Sequence, residues 1–128
     1  MKLLLDTHAL IWFLENDPQL SIRARNAISD PANQCHVSDA TAWEAGIKLS
    51  LGKLKLPLPF ERLFPDRLLE LGFLSLPVCH SHLHRIVHLP FHHRDPFDRV
   101  LIAQAQVEGM TLVSCDPHFP KYEVQLLW

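Results

Sequence analysis

Four acidic residues spread along the chain, Asp6, Glu44, Asp98 and Asp116, stand where side chains do chemistry. Asp6 follows the apolar run Leu3–Leu5, and Asp116 follows Thr111–Ser114, so each sits at the carboxyl end of an expected strand. Asp98 lies in the first turn of the helix that Asp95-Pro96 opens, and Glu44 lies within a helix that starts at Ser38 or Asp39. Gathering carboxylates costs about 1 kcal/mol per close pair even at water's dielectric, and more when they are partly buried. A hard divalent cation, Mg²⁺ or Mn²⁺, offsets that cost because it prefers oxygen ligands. Held there, it activates water and neutralises charge developing on a phosphate. Each acid also has a plainer explanation. Asp6 serves as a helix cap, and Asp98 suits the helix dipole. Glu44 pairs with Lys48 one turn on, and Asp116-Pro117 makes a turn. Spacing by itself leaves both explanations open.

The elements that must position these acids alternate along the chain. Strands are expected at Met1–Leu5, Gln34–Val37, Phe73–Leu76, Thr111–Ser114 and Val124–Leu127. Ala9–Glu15 reads as a deeply buried helix, and Ser21 caps a second one carrying Leu20, Ala24, Ala27 and Ile28. The Glu44 helix runs to Leu51 before Gly52, with Ala40, Trp43, Ile47 and Leu51 as its buried stripe. Phe60–Leu71 is helical but kinked at Pro65, and Gly72 closes it. His80–Val87 turns Leu83, Ile86 and Val87 inward. Pro96–Glu108 has Asp95 at its N-cap, Pro at its first position and Gly109 at its end. This alternation predicts one α/β domain over residues 1–128, three-layered, with a mostly parallel central sheet and helices on both faces. Sites in such folds lie beyond the carboxyl ends of the strands, where Asp6 and Asp116 stand.

Composition narrows the classes. With 128 residues, 48% hydrophobic and 20% charged, the chain can build a core and is not disordered. A net charge of −2 weighs against a passive nucleic-acid binder, but not against an enzyme that recruits cations. No apolar stretch is long enough to span a bilayer, and Met1-Lys2 does not open a signal peptide. Cys35, Cys79 and Cys115 lack metal or disulfide spacing, so free thiols in the cytoplasm are expected. His80, His84 and His88 have the i, i+4 spacing that suits Zn²⁺, yet no Cys or acid completes the set, and surface or packing roles are favoured. His92 and His93 lie close to Asp95 and either donate to the site or, as the favoured reading, are loop residues, while His8, two residues after Asp6, is within reach of the cleft.

The chain resembles the PIN domains of VapC-type toxins. The resemblance rests on Leu3-Leu4-Leu5-Asp6-Thr7-His8-Ala9-Leu10-Ile11-Trp12, on Val37-Ser38 through Trp43-Glu44 to Lys48, and on Gly52-Lys53-Leu54. It continues in Arg94-Asp95-Pro96-Phe97-Asp98-Arg99-Val100-Leu101-Ile102-Ala103-Gln104-Ala105, and in Leu112-Val113-Ser114-Cys115-Asp116 with Phe119 and Tyr122. It implies a metal-dependent endoribonuclease, the toxin of a toxin–antitoxin pair, in which Asp6, Glu44, Asp98 and Asp116 form the Mg²⁺ or Mn²⁺ site. Asp6 and Asp98 are then the principal ligands, and Glu44 and Asp116 assist or hold a second ion. A cognate antitoxin and a homodimer are implied as partners, with Trp12, Phe13 and Phe60–Leu71 as contacts unless these only pack the core.

Around the acids, Arg99 is the foremost candidate for RNA phosphates, followed by Lys48, Arg94 and Lys53. Thr7 and Ser114 either position water and carboxylates or satisfy local backbone. Asp95 reads as an N-cap first and an outer ligand second. Two departures from the resemblance stand out: Thr41 where Ser is commoner, and Ala45-Gly46, whose glycine costs about 1 kcal/mol in a helix and admits a close approach. Two rivals remain: an acidic-site phosphatase, which wants an acid where His8 stands, and a non-catalytic RNA- or protein-binding module, which would have lost acids that are all present here.

Overall fold

Short apolar runs bounded by turns make the sheet. The computed structural model describes residues 1–128 and forms β1 (Lys2–Leu5), β2 (Gln34–Ser38), β3 (Leu74–Leu76), β4 (Thr111–Val113) and β5 (Gln125–Leu127). All pairings are parallel, in the order β3-β2-β1-β4-β5. The chain leaves β1 for β2 on one side and reaches β4 on the other. The switch point that opens a crevice in parallel sheets therefore lies between β1 and β4. Register Leu4↔Leu112 and Leu5↔Val113 brings their carboxyl ends level.

The strand pleat divides the core. Leu3 and Leu5 pack with Ala9, Leu10, Ala24, Ile28 and Leu63 on one face. Leu4 points the other way, into Leu101, Ile102, Ala105, Leu112 and Phe119. Each leucine so buried contributes roughly 1.5–3 kcal/mol. The result is the expected three-layer arrangement.

Helix caps follow the sequence closely. α1 (Thr7–Leu14) starts where Asp6 accepts the Ala9 N–H at 2.7 Å, and α2 (Ile22–Ser29) starts where Ser21 accepts from Ala24 at 3.0 Å. α3 (Asp39–Ser50) is capped by the Ser38 hydroxyl, which accepts from Ala40. α4 (Phe60–Arg62) and α5 (Leu68–Glu70) are joined by a π-helical turn, Leu63–Arg67, in which Phe64 leaves helical geometry ahead of Pro65. α6 (His80–Val87) is followed by α7 (Pro96–Glu108), where Asp95 caps the Phe97 and Asp98 N–H groups and Gly109 closes the helix at φ 65°.

Two helix faces differ from the sequence expectation. In α3 the inward residues are Ala40, Thr41, Glu44 and Ala45, while Trp43 is 66% exposed and Leu51 is exposed as well. The small residues let α3 lie close to the sheet, and Trp43 packs outside, edge-on to Phe97 at 5.2 Å. In α6, Leu83 and Val87 face out and His82 faces in, fully buried. Its imidazole tolerates burial because both nitrogens are used, by the Cys79 N–H and by Glu108, each at 2.9 Å.

Candidate active site

The site starts with the strand ends. Asp6 is buried, and its backbone N–H extends the ladder to the Val113 carbonyl. Burial pushes its carboxyl up; the Ser114 hydroxyl and the Ala9 N–H oppose this, and Asp116 adds to it. The Ser114 hydroxyl accepts the Asp116 N–H at 3.1 Å, so its own proton is free for Asp6. Asp116 Oδ1 accepts from the His118 N–H at 2.8 Å, which locks the turn after β4. Ser114 thus serves local backbone and an acid together.

The helices bring the other two acids. Glu44 is buried beneath α3: Oε1 accepts from the Thr7 hydroxyl at 2.6 Å and Oε2 from the Lys48 ammonium at 2.7 Å. Thr7, one residue past Asp6, so ties α1 to α3. Pairing with Glu44 raises the Lys48 pKa, and Asp95 and Asp98 add to the effect, so this half-exposed cation sits in the field of the cluster. Asp98 is partly buried at the start of α7. Burial pushes its carboxyl up to about 8, followed in order by Asp95, Asp116, Glu44 and Asp6. Asp6, Glu44 and Asp116, with Asp95, therefore all lie within charge range of Asp98.

A second group stands behind Asp98, where the sequence favoured a loop role for His93 over donation to the site. His93 has no periodic position, yet its Nε2 lies 3.2 Å from Asp98 Oδ2 and its Nδ1 lies 2.7 Å from the Tyr122 hydroxyl. His118 stacks on it at 4.7 Å. Burial and His118 lower the His93 pKa, against the opposing pull of Asp116 and Asp95. Only its nearness to Asp95 in sequence pointed here. His8 is exposed, stacks on Trp12 and lies within charge range of Asp6.

Arg99 does not serve the role expected of it. It is only 4% exposed, and its guanidinium donates to the Leu89 and Pro90 carbonyls and to the Tyr122 hydroxyl, over the Phe91 ring. Residue 99 lies on the inner face of α7, one turn in, so its charge holds the preceding loop and no phosphate reaches it. Lys48, with exposed Arg94 and Lys53, remains for that role. The α6 histidines build no zinc site; His80 and His84 stack on each other in solvent. Gly46 faces the Phe60 ring, where an added Cβ would stand at an ordinary 3.5 Å.

The donor set suits a hard divalent cation: several carboxylates and hydroxyls, without sulfur. No three His, Cys, Asp or Glu side chains converge tightly enough to grip an ion as they stand, because each acid is turned to a protein donor. Asp98 Oδ1 and Asp116 Oδ2 accept no protein hydrogen bond and are free to turn toward one. The residues fit the ion in chemistry, though as they stand they do not close around one.

Comparisons with known proteins bear on the family and the fold. The sequence profile described as PIN domain matches residues 3–125. Ribonuclease VapC16 of Mycobacterium tuberculosis is 40% identical over 58 residues, 45% of this chain and 41% of the relative, so the match spans about two fifths of that relative's length. VapBC2 from Rickettsia felis, solved with a DNA fragment from its promoter, superposes with TM-score 0.72 at 16% identity, covering 99% of this chain and 98% of that one. DNA-bound VapBC from Salmonella typhimurium gives TM-score 0.67 at 17% identity, covering 99% and 97%. At these identities the structural likeness establishes the fold.

Proposed function

Because this chain belongs to the PIN-domain family, we propose that it is a metal-dependent endoribonuclease, the toxin of a toxin–antitoxin pair, in one domain over residues 1–128. The observation that supports this reading is that Asp6 and Asp116 follow β1 and β4 beside the switch point, and that they and Glu44 lie within charge range of Asp98. The partial relative is named a ribonuclease, which supports RNA as substrate. An acidic-site phosphatase would want an acid two residues after Asp6, and His8 holds that position.

The residues divide the work. Asp6 and Asp98 would be the principal ligands of Mg²⁺ or Mn²⁺, with Glu44 and Asp116 assisting. The bound cation would supply an activated water and charge to offset the phosphate's own. Thr7 and Lys48 hold both oxygens of Glu44, which fixes it in place. Ser114 steadies Asp6 and Asp116 together. Lys48, half exposed, is the cation best placed to meet a phosphate of the bound strand, with Arg94 and Lys53 further out.

Partners and place follow the same reading. The structural relatives are VapBC assemblies bound to DNA, which supports an antitoxin protein as inhibitor. An apolar groove of about 410 Å³, lined by Phe13, Leu14, Leu58, Leu63 and Leu71, would receive it, in keeping with the contacts expected at Phe13 and Phe60–Leu71. Trp12, by contrast, is partly covered by Trp128. A second apolar surface, at Trp43, Val78, Leu83 and Phe97, would serve a homodimer. The cytoplasm is the proposed location: the cysteines are free thiols, and no helix is long and apolar enough to cross a membrane.

The test is to compare RNA cleavage and RNA binding for wild type and Asp98→Asn at one fixed salt concentration, since affinity depends steeply on ionic strength. Cleavage should fall by more than about a hundredfold, beyond the usual effect of losing an outer-shell partner. Binding should persist, because one negative charge near the phosphates is gone. Undiminished cleavage would remove Asp98 from the site.

A further inference from the structure

Among the four acids, Asp98 has the least support. Backbone N–H groups hold Asp6 and Asp116, and Thr7 with Lys48 holds Glu44. The Asp98 carboxylate meets one protein group, His93 Nε2 at 3.2 Å. What that contact does depends on which ring nitrogen carries the proton, and the neighbours decide it.

The Tyr122 hydroxyl has one proton to give and two lone pairs to fill. Arg99 Nη1 donates to it at 3.2 Å, and the His93 backbone N–H donates at 3.3 Å. Both donors have no other role for it to accept, so the lone pairs are taken. The hydroxyl proton must go to the remaining neighbour, His93 Nδ1, at 2.7 Å. Nδ1 is then an acceptor, and the ring's own proton sits on Nε2, facing Asp98. A doubly protonated ring would ask the hydroxyl to accept a third N–H and would leave its proton without a partner. The chain is anchored at its far end, because Arg99 is buried and pinned by the Leu89 and Pro90 carbonyls.

We infer that His93 is a positioning residue for the reaction: Arg99 and Tyr122 fix it as the Nε2–H tautomer, and it holds Asp98 Oδ2 so that Oδ1 is presented to the metal. The inference rests on the reading of Asp98 as a metal ligand. It gives the buried Arg99 a purpose near the site without phosphate contact. Metal sites generally depend on such outer partners, whose loss costs about 10–100-fold in affinity or activity.

Two measurements test it. In ¹⁵N-labelled, metal-free protein at neutral pH, the His93 ring should show the Nε2–H tautomer, and Tyr122→Phe should convert it to a mixture of tautomers. An Nδ1–H or doubly protonated ring in the wild type would overturn the inference, and this arm needs no variant to fold. In the second arm, Mn²⁺ binding by calorimetry and the kinetics of RNA cleavage are compared for His93→Leu and His93→Gln. His93→Leu should weaken Mn²⁺ binding and lower kcat by about 10–100-fold with KM little changed. His93→Gln, whose amide N–H reaches the same oxygen, should recover most of the loss. Wild-type Mn²⁺ affinity in folded His93→Leu would also overturn it. Asp98→Asn in the same series separates the two levels. If Asp98→Asn binds Mn²⁺ and cleaves normally, the reading of the site falls. If it loses both while His93→Leu loses neither, only the positioning role falls.

Discussion

Helices α3 and α7 each deliver an acid to the site, yet their sequences relate to their packing in opposite ways. In α7, apart from buried Arg99 and Gln104, apolar periodicity and burial agree: Leu101, Ile102 and Ala105 face the sheet, and Asp95 and Gly109 mark the ends. In α3 the apolar stripe Trp43, Ile47 and Leu51 faces outward, and the face with Thr41, Glu44 and Ala45 turns in. The difference follows from where the acids lie. Asp98 sits at the first turn of α7, so the rest of that helix is free to pack by hydrophobicity. Glu44 sits mid-helix, and α3 must rotate its polar face inward for Glu44 to reach Thr7 and remain beside Asp6. A functional site is a place where local pattern and fold disagree.

Substitutions on the two helices can break this contrast. Leu101→Ala should cost about 2–5 kcal/mol, as a buried cavity does. In the monomer, at protein concentrations too low for self-association, Trp43→Ser should cost no more than about 1 kcal/mol, despite removing a larger side chain, because its site there is mostly solvent. Denaturant melts at that dilution would decide; a Trp43 loss in the range of a core aromatic would mean that α3 is turned the other way.

A smaller effect should appear in the dependence of stability on pH. In the metal-free protein the folded-state carboxyl of Asp98 is pushed up from 3.8 to about 8, by burial first and by neighbouring acids second. The fold therefore keeps a proton that the unfolded chain releases above about pH 4. Stability from this group is fully present below that pH and is lost as pH climbs to about 8. Asp6, also raised, acts with the same sign. Subtracting the Asp98→Asn melting profile from that of wild type isolates the slope. Saturating Mg²⁺ should reduce it, since metal takes the proton's place. A flat difference profile would separate Asp98 from the other acids.

The smallest effect sharpens the account of α3. Gly46 needs no special backbone angle, and a Cβ there meets Phe60 at van der Waals distance. Gly46→Ala should therefore leave the fold intact and raise stability by up to about 1 kcal/mol in thermal melts. A loss would mean that the close approach of Phe60 is tighter than it stands.

The fold was legible in the sequence because its signals are local. Alternating apolar runs, Ser21, Ser38 and Asp95 at caps, and Pro65 at a kink each act within a few residues. The four acids were legible because strand ends and helix starts are themselves visible, and because the family resemblance pointed to the same residues. What sequence did not disclose were choices made by packing across the chain. Arg99 adjoins Asp98 but points inward to the Leu89–Pro90 carbonyls. His82 took the buried place that Leu83 and Val87 seemed to hold. His93 meets Asp98 directly through Nε2, while its other ring nitrogen meets Tyr122, which lies 29 residues away. None of these leaves a periodic trace.

The central claim is that Asp6, Glu44, Asp98 and Asp116 form one divalent-cation site. The most direct test is an anomalous difference map from crystals soaked in Mn²⁺. One strong peak, or a close pair, should lie among these carboxylates within about 2.0–2.4 Å of Asp6 and Asp98 oxygens, the range for hard cations, and should vanish in Asp98→Asn. A peak elsewhere on the molecule, or none at a concentration that supports RNA cleavage, would contradict the account.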